Sequence, residues 1–188
     1  MDTKWLEDLK INIPNYLQTL NQGGHKYLPV KSGLTDQGAS LNLGFSCYAL
    51  KIYYITNQWD NLKEEEKTSW IAYINSFQKK VKGFPSHSFV DKEYLVSYLD
   101  TSYVRKTKNL TKLILNITFN KKYILDSERL INSIRAESKQ AISTLSQIGS
   151  TNELPYFEFT QSKKEIKSYL EGLDWTKPWN AGAQFSAL

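Results

Sequence analysis

Two tryptophans near the end of the sequence, Trp175 and Trp179, stand close to the amide side chains of Asn180 and Gln184. An indole ring can stack on a sugar ring or an isoprenoid-like chain, and an amide can hydrogen-bond to a hydroxyl group. With the carboxylate of Asp174, these four residues form a candidate ligand-binding cluster. The alternative is structural: Pro178 fixes a turn, and both indoles pack against the core.

A second candidate site lies in a long loop near the amino terminus, where His25 and Lys26 follow two glycines. Turn-forming residues continue to position 38, and loops of this length often carry function. We expect His25 and Lys26 to line the mouth of a pocket, where Lys26 would attract an anionic group. The alternative is a solvated loop.

Residues that bind metals or act as nucleophiles are few. No carboxylate or second histidine stands at a ligand spacing from His25 or His87, so we expect no metal site. Cys47 is the single cysteine, which excludes an internal disulfide, and its place on an apolar helical stripe predicts a core residue. The sequence lacks the motifs of nucleotide binding, serine hydrolysis and zinc proteolysis, so we expect no cofactor. Whether the protein is an enzyme stays open.

The composition indicates a globular protein. The 188 residues carry 24 Lys and Arg against 19 Asp and Glu, a net charge of +5, and 40% are hydrophobic. This balance supports one folded domain over residues 1–188 and excludes a disordered or collagen-like chain. No secretory signal opens the sequence, and no stretch approaches the roughly 18 apolar residues of a membrane span, so we expect a cytoplasmic protein.

The positive charge is concentrated between residues 105 and 122, which include no Asp or Glu. The basic residues there are Arg105, Lys106, Lys108, Lys112, Lys121 and Lys122. Such a segment can contact an anionic surface or RNA, although no recognised RNA-binding motif accompanies it. The alternative is a solvated basic face, and we regard nucleic-acid binding as the less favoured interpretation.

Apolar periodicity predicts a mainly α-helical fold. A short amphipathic helical segment is expected within residues 2–22, and a strongly apolar helix over 39–57. That second helix carries two apolar stripes, so it should be an inner element with neighbours on several sides. Its tyrosines, Tyr48, Tyr53 and Tyr54, either line an aromatic cavity or pack in the core. A one-faced outer helix follows over 61–81, with Asn61 as its expected cap.

The pattern between 91 and 126 is ambiguous. Leu110, Leu113, Ile114 and Ile117 fit a helix, whereas alternate residues from Leu113 to Phe119 fit a strand. We favour a helix and keep a hairpin turning at 120–122 as the alternative. Residues 127–148 again predict an amphipathic helix ending before Gly149, and Ser162 with Glu165 predicts the capped start of another.

Pairing of an inner with an outer helix is typical of helical hairpins stacked around an axis. The segment Leu43-Gly44-Phe45-Ser46-Cys47-Tyr48-Ala49-Leu50-Lys51 is similar to the inner helix of an α/α toroid of the terpenoid cyclase, prenyltransferase and polysaccharide-lyase type. The segment Trp70-Ile71-Ala72-Tyr73-Ile74-Asn75-Ser76-Phe77-Gln78 resembles an outer helix of such a hairpin. The acidic and zinc-binding motifs of those families are missing here.

The resemblance implies an incomplete toroid, because a full ring needs about six hairpins and the last apolar run, which includes Phe185 and Leu188, ends in mid-pattern. We therefore expect residues 1–188 to be a single α-helical domain or the N-terminal part of a larger toroid. The resemblance implies binding or processing of a carbohydrate or an isoprenoid-like substrate. The first alternative is a helical module that binds a protein partner without catalysis, and the second is weak binding of anionic surfaces or RNA through residues 105–122.

Overall fold

The computed structural model describes residues 4–96, 102–121, 123–156 and 162–185. These residues are mainly helical, which confirms the predicted mainly α fold class. The helices are α1 Lys4–Gln18, α2 Asp36–Ser40, α3 Leu43–Ile55, α4 Glu64–Asn75, α5 Lys92–Val96, α6 Tyr103–Phe119, α7 Asp126–Gln147, α8 Lys163–Glu171 and α9 Pro178–Phe185. Two short strands, β1 Gln78–Lys79 and β2 Ser88–Phe89, pair antiparallel.

The core lies where α3 packs on α7. On α3 the side chains of Leu43, Cys47 and Leu50 are fully buried and meet Ala141 and Leu145 of α7, whereas Tyr54 at the end of the same stripe is exposed. Each of these side chains recurs at a helical spacing of three or four residues, so one face of each helix is apolar. The second apolar stripe predicted for α3 includes Tyr48 and Ile55. This stripe is more accessible to solvent, because both of these side chains are exposed. Helix α3 therefore packs in the core along one side, and its other side is exposed to solvent.

An aromatic cluster joins α4 to this core. Trp70 of α4 is buried, and its Nε1 donates a hydrogen bond to Ser46 Oγ of α3 at 3.0 Å. The Tyr53 ring meets the Trp70 indole edge-on, with ring centroids 5.1 Å apart, and Trp59 meets it at 6.3 Å. Tyr27 stacks on the same indole at 5.7 Å. Several of the 25 aromatic rings are thus core residues.

The helix predicted over 61–81 is shorter at both ends. Asn61 does not cap it, since its side chain donates to Asn57 O; instead the Lys63 backbone N–H donates to the Glu66 carboxylate at 3.4 Å. The helix stops at Asn75 because Gln78 leaves helical geometry to pair with Phe89, which is fully buried against α7. Burial of that phenylalanine stabilises the strand pair more than one further helical turn would.

The ambiguous segment is helical, and the hairpin turning at 120–122 is wrong. Helix α6 begins where Ser102 Oγ accepts a hydrogen bond from the Arg105 backbone N–H at 3.4 Å. It ends at Asn120, whose φ of 48° is the left-handed conformation that closes many helices. No α6 side chain is fully buried.

The later helices agree with the sequence. Helix α7 ends before Gly149, which has a φ of 74° and suits a residue without a side chain. The Ser162 hydroxyl accepts from the Glu165 backbone N–H, and the Glu165 carboxylate accepts from Ser162 N–H, so the capping box of α8 is confirmed. None of the described helices combines the length and the apolar character that crossing a bilayer requires.

Candidate functional site

The loop candidates His25 and Lys26 lie on different surfaces. His25 packs against α4: its Nε2 is 2.9 Å from Ser69 Oγ, and its ring stacks on the Trp70 indole at 4.9 Å. Burial lowers the pKa of this histidine, which favours its neutral form. Lys26 lines a cleft of about 410 Å³ together with Asn42 and Glu93. His25 is therefore part of the aromatic cluster around Trp70, whereas Lys26 lines the cleft.

The tryptophan candidates lie on helices α8 and α9. Trp175 borders a shallow groove along α8, where its Nε1 donates to Leu170 O at 2.9 Å. Trp179 is 91% exposed, so it does not pack on the core as the structural alternative required. Asn180 and Gln184 belong to α9, and their side chains lie outside the described part of the chain. The groove beside Trp175 and the cleft beside Lys26 share no lining residue.

A third cleft, of about 590 Å³, opens between α3, α5 and α7, and we call it the α3–α7 cleft. It combines two aromatic side chains with amides, a cation and a carboxyl group. Its lining residues are Gly44, Tyr48, Tyr94, Ile124, Arg129, Asn132, Ser133, Ala136, Glu137 and Gln140. Its volume falls within the roughly 300–1,000 Å³ that is usual for small-molecule sites.

Helical spacing explains how α7 supplies most of this lining. Arg129, Ser133, Ala136 and Gln140 follow one another at steps of four, three and four, so they share one face of the helix. The adjacent face carries the buried side chains that pack on α3. The core contact therefore fixes the direction in which the polar face of α7 points.

Asp91 holds the two other helices of the cleft in place. This side chain is only 2% exposed, and its Oδ2 accepts hydrogen bonds from the backbone N–H groups of Asn42 at 2.6 Å and Leu43 at 3.0 Å, at the start of α3. Its Oδ1 accepts from Glu93 N–H at 3.1 Å, at the start of α5. A carboxylate at a helix N-terminus satisfies otherwise unpaired donors and faces the positive end of the helix dipole.

Among the titratable residues that line the cleft, Glu137 has the largest shift in pKa. Burial raises its pKa to about 7, and the negative charge of Asp91 adds to that effect. The Asp91 backbone N–H, which donates to Glu137 Oε2 at 3.4 Å, opposes it. A carboxyl group with this pKa is substantially protonated near neutral pH, so it can donate a hydrogen bond or a proton.

Gln140 adds an unused donor. Its Oε1 accepts from Lys51 Nζ at 3.4 Å, whereas its Nε2 is buried and has no hydrogen-bond partner among the described residues. Buried polar groups without partners are rare and often mark a place where a ligand or water binds. Arg129, also on α7, forms no ion pair within the described part of the chain, so its guanidinium can meet an anionic group.

The side chains of the α3–α7 cleft suit ligand binding better than glycoside hydrolysis, thiol chemistry or metal binding. The Asp91 carboxylate is only 2% exposed, accepts three backbone hydrogen bonds and does not line the cleft, so the arrangement gives Glu137 no lining carboxylate as partner for the paired-carboxylate mechanism of glycoside hydrolysis. Burial raises the pKa of the Cys47 thiol to about 12, which keeps it protonated and confirms it as a core residue. In residues 4–96, 102–121, 123–156 and 162–185 no group of His, Cys, Asp and Glu side chains could hold a metal ion.

Sequence reasoning identified Tyr48 as a possible cavity residue but missed Asp91, Glu137 and Gln140. No local motif marks these three, because their importance arises from contacts between residues about 46 positions apart. Comparison with protein-family models, with curated proteins and with solved structures finds no match for this chain.

Proposed function

We propose that this protein binds a carbohydrate in the α3–α7 cleft. The observation that carries the proposal is the combination of aromatic side chains with hydrogen-bonding groups, among them Glu137, whose raised pKa favours its protonated form, and the Gln140 amide, whose Nε2 has no partner among the described residues. A sugar presents apolar ring faces to aromatic side chains and hydroxyl groups to polar ones. Tyr48 and Tyr94 provide the aromatic surface.

The polar lining favours a carbohydrate over an isoprenoid-like ligand. An isoprenoid chain would leave the donors of Asn132, Gln140 and Glu137 unpaired on binding, and an unpaired buried polar group costs about 1–3 kcal/mol. Hydroxyl groups of a sugar would satisfy the same donors. The cationic Arg129 at this face favours a sugar that carries a carboxylate over a neutral one.

Isothermal titration calorimetry with cellohexaose, mannohexaose and hexagalacturonate tests the proposal. We expect one of these sugars to bind, and Tyr48→Ala to weaken that binding about tenfold, since an aromatic contact contributes about 0.5–1.5 kcal/mol. Tyr54→Ala is the matched control, because Tyr54 is also exposed on α3 but does not line the cleft. Equal losses in both variants, or no binding of any of the sugars, would contradict the proposal.

A further inference from the structure

Helix α6 contacts the rest of the chain through its polar side. The four side chains on this side, Arg105, Asn109, Lys112 and Asn116, follow one another at steps of four, three and four. All four bond to the short segment between α6 and α7 or to Asp126 at the start of α7.

These contacts are specific. Asn116 forms two hydrogen bonds with the Tyr123 backbone, each of 2.8 Å, and Asn109 Oδ1 accepts from Asp126 N–H at 3.1 Å. The Asp126 carboxylate pairs with Arg105 Nε at 2.9 Å and with Lys112 Nζ at 3.5 Å. The helix is therefore held in one orientation about its own axis.

That orientation points the apolar side of α6 away from the protein. We call this side the outward face; its residues are Tyr103, Leu110, Leu113, Ile114 and Ile117. All five are exposed, with Tyr103 at 89% and Ile117 at 76%. An amphipathic helix of a globular protein normally buries its apolar side and exposes its polar side. Helix α6 does the reverse, so its outward face requires an apolar environment from outside the described chain.

The charge around the outward face indicates what that environment is. Residues 105–122 contain six Lys and Arg residues and no acidic residue. The single Asp126 carboxylate pairs with both Arg105 and Lys112, so one positive charge remains there. Lys106 and Lys108 are exposed and form no ion pair with a described residue. Lys106 stands one turn before Leu110, so it borders the apolar stripe. A surface that complements the outward face must therefore have an apolar interior and carry negative charge where that interior meets water.

We propose that the outward face of α6 docks on the surface of an anionic lipid bilayer. The stripe from Tyr103 to Ile117 is about 21 Å long and lies along one side of a regular helix, so it can lie parallel to the bilayer with its apolar side chains between the headgroups. The Lys106 ammonium, on the same side of the helix as the stripe, meets the headgroup phosphates, and Tyr103 suits the boundary between water and lipid. RNA would use the charge but leave the apolar stripe exposed, and a second copy of the chain would bring two basic faces together.

Co-sedimentation of the full chain with vesicles tests this inference independently of carbohydrate binding. One vesicle preparation is phosphatidylcholine alone, and the other replaces a quarter of it with phosphatidylglycerol. We expect binding to the anionic vesicles at low salt, about 50 mM, and much weaker binding at about 500 mM, where screening shortens the range of the charges. Lys106→Glu should lower binding about fivefold, since a lysine near the surface contributes about that factor, whereas Lys108→Glu, on the opposite side of the helix, should lower it less.

The double variant Leu110→Ser with Ile117→Ser tests the apolar contribution, and it should lower binding about tenfold or more. Ile55→Ser is the matched control, because Ile55 is an equally exposed isoleucine on α3. Far-ultraviolet circular dichroism should show unchanged helix content in all variants. The inference is overturned if anionic vesicles do not retain the chain, if the control loses as much binding, or if light scattering finds a dimer that the double variant abolishes. Retention by RNA that exceeds retention by vesicles overturns it as well.

Discussion

Asp91 and Glu137 are two acidic residues joined by a hydrogen bond from the Asp91 backbone N–H, and they have different roles. Asp91 accepts three backbone hydrogen bonds and fixes the first turns of α3 and α5. Glu137 accepts one long bond, from Asp91 N–H, and burial raises its pKa. The first residue therefore positions two helices of the cleft, whereas the second is the lining residue whose pKa is raised to about 7.

Glu137→Gln should raise stability in a way that depends on pH. The folded pKa of Glu137, about 7, lies above the ordinary 4.5, so the folded chain binds more protons between these values and the wild-type free energy of unfolding falls as pH rises through that window. The glutamine does not titrate. We expect the variant to be more stable by about 2 kcal/mol near pH 8 and unchanged near pH 4, as measured by urea unfolding.

Glu128→Gln is the control for this measurement, because Glu128 is exposed on the same helix. An equal increase in the free energy of unfolding for both variants near pH 8 would mean that net charge, and not burial of Glu137, causes the effect.

Asp91→Ala should lower the free energy of unfolding by about 3 kcal/mol, because it leaves the first N–H groups of α3 and of α5 without an acceptor. Asp36→Ala, at the exposed start of α2, should change stability by less than about 0.5 kcal/mol. Chemical denaturation of both variants checks the difference, and a loss below about 1 kcal/mol for Asp91→Ala would contradict the role of Asp91 as a cap for both helices.

At the scale of elements, long periodic helices could be predicted from sequence and short strands could not. Helix α7 and the capping box of α8 follow from apolar spacing and from Ser162 with Glu165. The strand pair of Gln78 with Phe89 has only two residues on each side, so no alternating pattern marks it. It forms because β2 packs on α7, a contact between segments far apart in the chain.

Asp126→Asn tests how α6 is held. The change keeps the shape of the side chain and removes the charge that pairs with Arg105 and Lys112, so the amides of α6 should exchange hydrogen about fivefold faster. The same pairing holds the pKa of Asp126 below its usual range, chiefly through the Arg105 hydrogen bond, so wild-type protection of α6 should fall as the pH drops through that lowered pKa.

Amides of α3 should keep their protection in Asp126→Asn, and Asp60→Asn, on an exposed turn, should leave α6 unchanged. Acceleration of exchange throughout the protein would indicate that Asp126 supports the whole fold instead of one helix.

For the whole molecule, the packing of α3 on α7 is the main source of stability. Leu50 is fully buried in it, whereas Leu113 of α6 is exposed. Leu50→Ala should lower the free energy of unfolding by about 2–5 kcal/mol, and Leu113→Ala by no more than about 0.5 kcal/mol. Thermal unfolding of the two variants compares the same substitution at a core and a surface position. Similar losses of stability in both variants would contradict the placement of α6 outside the core.

The core could be anticipated from sequence because apolar spacing on one helix predicts which side is buried, as it does for Leu43, Cys47 and Leu50. The α3–α7 cleft could not, because Glu137 acquires its raised pKa from burial beside Asp91, 46 residues earlier. Trp175 and Trp179 attracted attention through residue type alone, and Trp179 proves to be almost fully exposed.

The most direct test of carbohydrate binding is a ¹H–¹⁵N nuclear magnetic resonance titration of the full chain with the tightest-binding sugar of the calorimetric panel. We expect the shifted amides to cluster at Tyr48, Tyr94 and residues 129–140, the residues that surround the α3–α7 cleft. Shifts concentrated at Trp175 and Trp179 instead, or none at a saturating concentration, would contradict the assignment of this cleft as the binding site.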